Sequence, residues 1–236
     1  MTFENKTIVL TGVGREGQVG EVVARAFADR GAAVALVDRT PTEVERRAAA
    51  IVAAGGRASA YACDLTDEAQ VASVAAAVGQ AHGGRVDALV NMAGGFAMSG
   101  PVAEAELATL QRMLAINLTT AFLTTRAFLP MLRPVGGSIV YFASAAVLPG
   151  GRGARMSGYA AAKAGLIALM LAVADEERDA GVRANALAPT SIRTATNVQA
   201  MGDTTRYVER ESVADAVLFL CSDEARSVTG QVVKLQ

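Results

Sequence analysis

Short runs of β-branched and aliphatic residues alternate with longer Ala-rich runs of helical period along the whole chain, and this alternation constrains the fold more than any other feature. Thr7-Ile8-Val9-Leu10 offers apolar side chains to both faces, as a strand covered on both sides requires. The next segment, 20–30, carries Val22, Val23, Ala26 and Phe27 at helical spacing and stops at Gly31. The same pairing recurs. Further strands are expected over 33–37, 58–62, 86–90, 137–142, 182–187 and 230–235. Helices are expected over 41–54, 67–80, 157–179 and 212–221, with one long or two abutting helices over 104–132. Strands separated by helices need right-handed crossovers, and so a parallel sheet with helices on both faces. No stretch rich in Pro, Gly or Ser divides the chain. The expectation is one doubly wound α/β domain over 1–236 with about seven strands, its first half ending near residue 95 and its second starting near 96.

Composition agrees with a cored domain and excludes several classes of function. Of the 236 residues, 52% are hydrophobic and 19% charged, too few charges for a disordered chain. Lys and Arg number 22 against 23 Asp and Glu, which leaves no electrostatic footprint for a nucleic-acid backbone. Cys63 and Cys221 lie far apart in apolar surroundings and read as free thiols of a reducing compartment. One histidine, His82, and two distant cysteines do not make a metal site, so no metal is expected. Residues 1–6 lack the apolar stretch of a secretion signal, and no run of eighteen uninterrupted apolar residues occurs. A cytoplasmic protein without a membrane partner is expected.

The link between the first strand and first helix is Thr11-Gly12-Val13-Gly14-Arg15-Glu16-Gly17-Gln18-Val19-Gly20. Glycines there permit a tight turn and close approach of backbone to a pyrophosphate, which would sit over the helix N-terminus. A glycine-rich turn alone is a weak signal; its place between a buried strand and a helix strengthens it. Asp38, at the end of the second strand, can accept hydrogen bonds from adenosine ribose hydroxyls and would repel a 2′-phosphate, which favours NAD over NADP. Arg39 works the other way, because its guanidinium can clamp a phosphate. Asp64 and Leu65 follow the third strand, where they would meet the adenine. Asn91, Ala93 and Gly94 follow the fourth, where small residues admit a flat ligand.

The second half carries the candidate chemistry. Tyr159 and Lys163 fall one turn apart on an expected helix and so share a face. A phenol near its ordinary pKa of about 10 is a poor acid–base at neutral pH. A nearby ammonium and an oxidised nicotinamide both favour the phenolate, which would let Tyr159 take or give an alcohol proton. Ser144, just past the fifth strand, can bond the substrate oxygen as charge develops on it. Asn117 is an amide in an apolar helical stretch; it reads either as a structural clamp or as the anchor of a water that links Lys163 to solvent.

Taken together, these residues resemble the short-chain dehydrogenase/reductase family over nearly the whole chain, its 3-oxoacyl-reductase-like members in particular. The Thr11-Gly12 turn is similar to that family's cofactor turn, and Asn91-Met92-Ala93-Gly94 to its Asn-Asn-Ala-Gly element, which braces the sheet. Asn117, Ser144, Tyr159 and Lys163 match its catalytic tetrad in order. The resemblance implies a Rossmann fold, a hydride passed between nicotinamide and a carbonyl/alcohol pair, and a homodimer or homotetramer. It further implies that Lys163 bonds the nicotinamide ribose and that Asn117 completes a proton relay. In Pro189-Thr190-Ser191-Ile192-Arg193-Thr194, it implies that the Ile192 backbone bonds the carboxamide and that Thr194 sits near the pyrophosphate.

Departures from the family pattern are specific. The glycine turn is two residues longer, and Gln18 stands where the middle glycine usually is. Pro189-Thr190 replaces a common Pro-Gly, and the interval from Ser144 to Tyr159 is lengthened by the flexible rim 150–155. The segment after Thr194 is short for a substrate lid, which suggests an open pocket. Arg155 and Arg193 can greet an anionic substrate or be ordinary surface residues. Competing readings are an NADP(H)-dependent reductase of 3-oxoacyl thioesters, an epimerase-like or lyase activity on a tightly held NAD, and a catalytically silent dinucleotide sensor. The retained Tyr159 and Lys163 argue against the last.

Overall fold

The computed structural model describes residues 1–236. Seven strands form one parallel sheet: β1 (Thr7–Thr11), β2 (Ala33–Asp38), β3 (Arg57–Ala62), β4 (Ala88–Asn91), β5 (Ser138–Phe142), β6 (Arg183–Pro189) and β7 (Val232–Leu235), in the order β3-β2-β1-β4-β5-β6-β7. The order reverses between β1 and β4, so the crevice at their carboxyl ends is where such sheets bind ligands. The helices are α1 (Val19–Ala28), α2 (Pro41–Ala53), α3 (Glu68–Ala81), α4 (Leu107–Leu114), α5 (Thr120–Leu132), α6 (Ser157–Glu176), α7 (Ala195–Met201) and α8 (Arg210–Cys221).

The strands sort their side chains by alternation into two cores. Ile8, Leu10, Val34 and Leu36 pack with Val23, Phe27, Val44 and Val217 of α1, α2 and α8. Val9, Ala35, Val37 and Leu89 face Val71, Val78, Phe128, Leu166 and Met170 of α3, α5 and α6. Full burial of one such large aliphatic or aromatic side chain stabilises by about 1.5–3 kcal/mol. Both cysteines are free and buried within these cores.

The expected elements are present with shifted bounds, and two differences matter. The helical run is unbroken from Leu107 to Leu132, as expected, but it carries a π-helical turn, Ala115–Thr119, between α4 and α5. The added residue per turn places Asn117 inward, fully buried. The second difference is α7, a seven-residue helix capped by the Thr194 hydroxyl, which accepts from Asn197 N at 3.2 Å. Seven residues are too few for a periodic signal. The lid expected to be open thus carries a helix of its own.

Strand β7 begins after Gly230 because that residue holds a left-handed φ of 67°. Helix α6 ends earlier than expected; Glu177 turns out of it, and its buried carboxylate takes two hydrogen bonds from Arg133, at 2.8 and 2.7 Å. Helix α6 is also long and apolar enough to cross a bilayer, but here it is a core helix that packs Ala162, Leu166, Met170 and Val173 inward.

Candidate active site

The glycine turn is held at its base by Thr11. Its hydroxyl donates to Val90 O at 3.4 Å and accepts from Met92 N and Ala93 N at 3.2 Å each, which joins the ends of β1 and β4. Gly12 (φ +75°) lies so close to that second loop that a Cβ would stand 2.7 Å from the Ala93 backbone. A Cβ on Gly20 would stand 2.6 Å from Gly12 O, so the first turn of α1 packs directly on the loop. Residue Gln18 occupies the N-cap of α1 but gives it no side-chain cap, unlike Asp67 on α3. Helix α1 thus presents uncapped N–H groups and the positive end of its dipole over a glycine cradle. Those features suit an anionic pyrophosphate.

Asp38 ends β2 beside this turn, where its Oδ2 accepts from Gly14 N at 2.8 Å and its Oδ1 from Thr40 N at 3.3 Å. The acidic group expected to meet the ribose therefore also sets the turn, a role the sequence did not suggest. Arg15 and Arg39 are exposed. Gly17 is fixed from two sides: its N–H donates to Glu21 at 2.8 Å and its carbonyl accepts from Arg210 at 2.9 Å. Val19 opens α1.

Two expected cofactor residues, Asp64 and Leu65, use their side chains elsewhere. The Asp64 carboxylate turns back on Thr66, accepting from its N at 3.0 Å and its hydroxyl at 2.7 Å, bonds that lower its pKa and form a local turn instead of facing outward. Leu65 is buried in the α3 side of the core. Asn91 is a brace: its Oδ1 accepts from Thr124 at 2.7 Å and its Nδ2 donates to Thr125 at 3.4 Å. Tyr141, beside this brace, donates to or accepts from Thr125 at 2.8 Å. Its burial raises its phenol far above the ordinary value.

Beyond β6, Pro189 ends the strand, and Ile192 pairs in an isolated bridge with Val208. The bridge uses backbone groups of Ser191 and Arg193, leaving the Ile192 N–H free of partners in the chain. Arg193, one candidate for an anionic substrate, is taken: it bonds Glu209 at 2.8 Å, lies 3.8 Å from Asp203 and covers the Tyr207 ring.

At the carboxyl ends of β4 and β5 the four polar residues of the second half converge. Lys163 is buried on α6 and donates to Phe142 O at 2.6 Å; its Nζ stands 5.8 Å from the centre of the Tyr159 ring. Burial lowers the Lys163 pKa to about 8. Burial also raises the Tyr159 phenol, and the Ser144 hydroxyl beside it draws it partly back. Ser144 sits at the end of β5, where its Oγ accepts from Ala146 N at 3.3 Å. Asn117 reaches the loop after β4: its Oδ1 accepts from Gly95 N at 3.1 Å, and its Nδ2 donates to Gly95 O and Met113 O at 3.0 Å each. A Cβ on Gly94 would stand 2.6 Å from Asn117 Oδ1 and 3.5 Å from Lys163 Nζ, so no side chain separates these groups.

The sequence did not point to Phe96. Its ring meets Tyr159 edge-on at 5.1 Å and 81°, yet it is 58% exposed, an aromatic wall open toward solvent. The loop that carries it is stitched to the start of α6 by Ser99, whose N–H donates to Arg155 O at 2.8 Å and whose hydroxyl lies 3.2 Å from that of Ser157. Arg155 holds a left-handed φ of 63°, which is rare for a residue with a side chain and marks the rim as constrained.

A parallel sheet in this order, with a glycine turn at the switch point and a tyrosine and lysine on one helix face, defines a dinucleotide-dependent oxidoreductase. The chain belongs to the short-chain dehydrogenase/reductase family. A family profile described as Enoyl-(Acyl carrier protein) reductase matches residues 12–235. The chain is 34% identical over 245 residues to 2-(S)-hydroxypropyl-CoM dehydrogenase 3 of Xanthobacter autotrophicus, covering 97% of this chain and 94% of that one. A short-chain dehydrogenase/reductase from Burkholderia xenovorans superposes with a TM-score of 0.88 at 35% identity, over 99% and 96% of the two chains. NAD⁺-bound xylitol dehydrogenase superposes with a TM-score of 0.90 at 26% identity, over 100% and 99%. This chain is accordingly an NAD(H)-dependent oxidoreductase that works by hydride transfer on alcohol or ketone substrates.

Proposed function

We propose that the chain interconverts a small secondary alcohol and its ketone, with Tyr159 as general acid–base. The reading is carried by Tyr159, flanked by the Ser144 hydroxyl and the buried Lys163 ammonium at the carboxyl end of β5. When bound, NAD supplies the hydride acceptor. Tyr159, as phenolate, takes the alcohol proton as the carbonyl forms; in reduction it returns that proton to the oxygen. Ser144 holds the same oxygen, and Lys163 favours the phenolate by its charge. Asn117, fixed by Gly95 and Met113 O, would anchor a water that links Lys163 to solvent and so complete the proton relay.

The cofactor would lie mainly on residues 1–95, with its pyrophosphate over Gly12, Gly17, Gln18 and Val19 and near Thr194, its ribose on Asp38, and its nicotinamide near Ala93, Gly94 and the Ile192 backbone. Residues 96–236 would supply the substrate side. The relatives 2-(S)-hydroxypropyl-CoM dehydrogenase 3 and xylitol dehydrogenase support a secondary-alcohol substrate. Leu107, Leu110, Phe122 and Leu171 leave α4, α5 and α6 with exposed apolar positions, which fits a homodimer or homotetramer built on these helices. A cytoplasmic location fits the two free thiols.

The test is a screen of NAD⁺ reduction over small secondary alcohols, including vicinal diols and hydroxyalkyl thioethers, with Tyr159→Phe as control. Activity seen with NADPH and 3-oxoacyl thioesters alone would replace this reading with the reductase alternative.

A further inference from the structure

We propose that Gln18 and Thr196 form a latch across the dinucleotide cleft and that this latch sets how fast the cofactor leaves. The inference rests on the cofactor placement proposed above. Gln18 belongs to the turn between β1 and α1, while Thr196 is the second residue of α7. The Gln18 amide Nε2 donates to Thr196 Oγ1 at 3.3 Å. The bond therefore joins the turn proposed to carry the pyrophosphate to the helix that follows Thr194. A glycine at position 18 has no atoms to make it. The residue that departs from the family pattern is the residue that closes the gap.

Both ends of the latch are held firmly, which lets one hydrogen bond act on the cleft. On the turn side, Gly17 is fixed by Arg210 and by Glu21. Glu21 in turn takes a 2.6 Å bond from Arg47, whose other nitrogen reaches Glu16 in the inserted part of the turn at 3.3 Å. Arg47 is 7% exposed and its partner Glu21 is 23% exposed, so this pair is screened far less than a surface pair. On the lid side, the Tyr207 hydroxyl lies within reach of both Asn197 O (3.1 Å) and Gly202 O (2.8 Å), and the Thr205 hydroxyl donates to Met201 O at 2.9 Å. Arg193 packs over the Tyr207 ring at 4.8 Å. The two-residue insertion thus has a physical role: it is anchored to α2 and carries Gln18 to α7. Dissociation of a pyrophosphate beneath this bridge requires the bridge to open, whereas binding energy at the ribose and nicotinamide does not depend on it.

The experiment is stopped-flow displacement of NADH from the full-length protein by excess NAD⁺, read by loss of NADH fluorescence. Gln18→Ala and Thr196→Val should each speed dissociation by about three- to tenfold, the range expected of one lost hydrogen bond. The double variant should release no faster than either single one. Thr196→Ser, which keeps the hydroxyl, should release at the parental rate. Both positions are on exposed or half-buried surface, so folding is not at stake. Unchanged rates in both single variants, additive rates in the double variant, or an effect confined to association would each overturn the latch. A parent that binds no NADH would overturn the cofactor placement as well; a parent that binds it, with no effect of either change, would overturn the latch alone.

Discussion

Lys163 Nζ donates to Phe142 O at 2.6 Å while standing 5.8 Å from the centre of the Tyr159 ring, so one ammonium ties the end of β5 to the face of the phenol. The same burial that fixes this geometry penalises charge on both groups: it lowers Lys163 to about 8 and raises Tyr159. The cofactor-free protein holds Tyr159 protonated at neutral pH, and the phenolate gains stability from the Ser144 hydroxyl and from added positive charge.

That opposition makes Tyr159→Phe an informative change. The ring keeps its edge contact with Phe96, so NADH should bind within about twofold of the parent, while turnover falls by about 10²–10⁴, the usual worth of a positioned acid–base. Fluorescence titration and steady-state rates check both halves. Parental turnover would remove Tyr159 from the chemistry.

A second prediction concerns Asp38, whose carboxylate meets Gly14 N at 2.8 Å. Asp38→Ala removes an acceptor for the ribose hydroxyls and a clamp on the turn together. NADH affinity should fall by about tenfold or more, while NADPH, freed from charge repulsion and met by Arg15 and Arg39, should fall less or rise. Paired titrations with the two nucleotides decide it; an unchanged preference would mean that Asp38 does not set cofactor choice.

Much of this was legible in the sequence because its signals are local. The alternation at Ile8-Val9-Leu10 and Val34-Ala35-Leu36-Val37 dictates which face each side chain takes, and the helices between must cover both. Tyr159 and Lys163 are related by one helical turn, so their pairing needs no tertiary knowledge. What escaped depends on partners distant in sequence. The π-turn at Asn117 is stabilised by Gly95, and the 104–132 stretch alone reads as helix throughout. Helix α7 had only a capping signal, Thr194 at its start and Gly202 at its end. Phe96 gains its importance from the ring of Tyr159, far along the chain, which no local pattern reveals.

The absence of a side chain at Gly94 carries a third prediction. With Asn117 Oδ1 at 2.6 Å and Lys163 Nζ at 3.5 Å from an added Cβ, Gly94→Ala must displace the amide first and then crowd the lysine. Overpacking of this kind costs about 1–3 kcal/mol of stability. Turnover should fall by more than the fraction unfolded, since both displaced groups belong to the proposed proton path. Thermal melts alongside kcat would show it. A variant that melts early but turns over normally when folded would confine Gly94 to packing.

The last prediction follows from the Lys163 titration and can be read without substrate or cofactor. Its folded pKa, about 8, lies below the ordinary value of 10.5, so between these limits the unfolded chain binds a proton that the folded chain does not. Stability from this group therefore rises with pH across that window: the cost of the buried ammonium is present in full below about 8 and gone above 10.5. The total is on the order of 3 kcal/mol. Cys63 and Cys221 act with the opposite sign, because burial raises them to about 11 and about 12 from 9.0, so stability is lost as pH climbs through that higher range. Those thiols are common to the parent and to Lys163→Met, and their effect cancels in the difference. Urea unfolding of both proteins should give a gap that moves in the parent's favour as pH rises from about 8 toward 10.5. Parallel curves would mean that the lysine is solvated in the folded state, and its proposed electrostatic hold on Tyr159 would weaken with it.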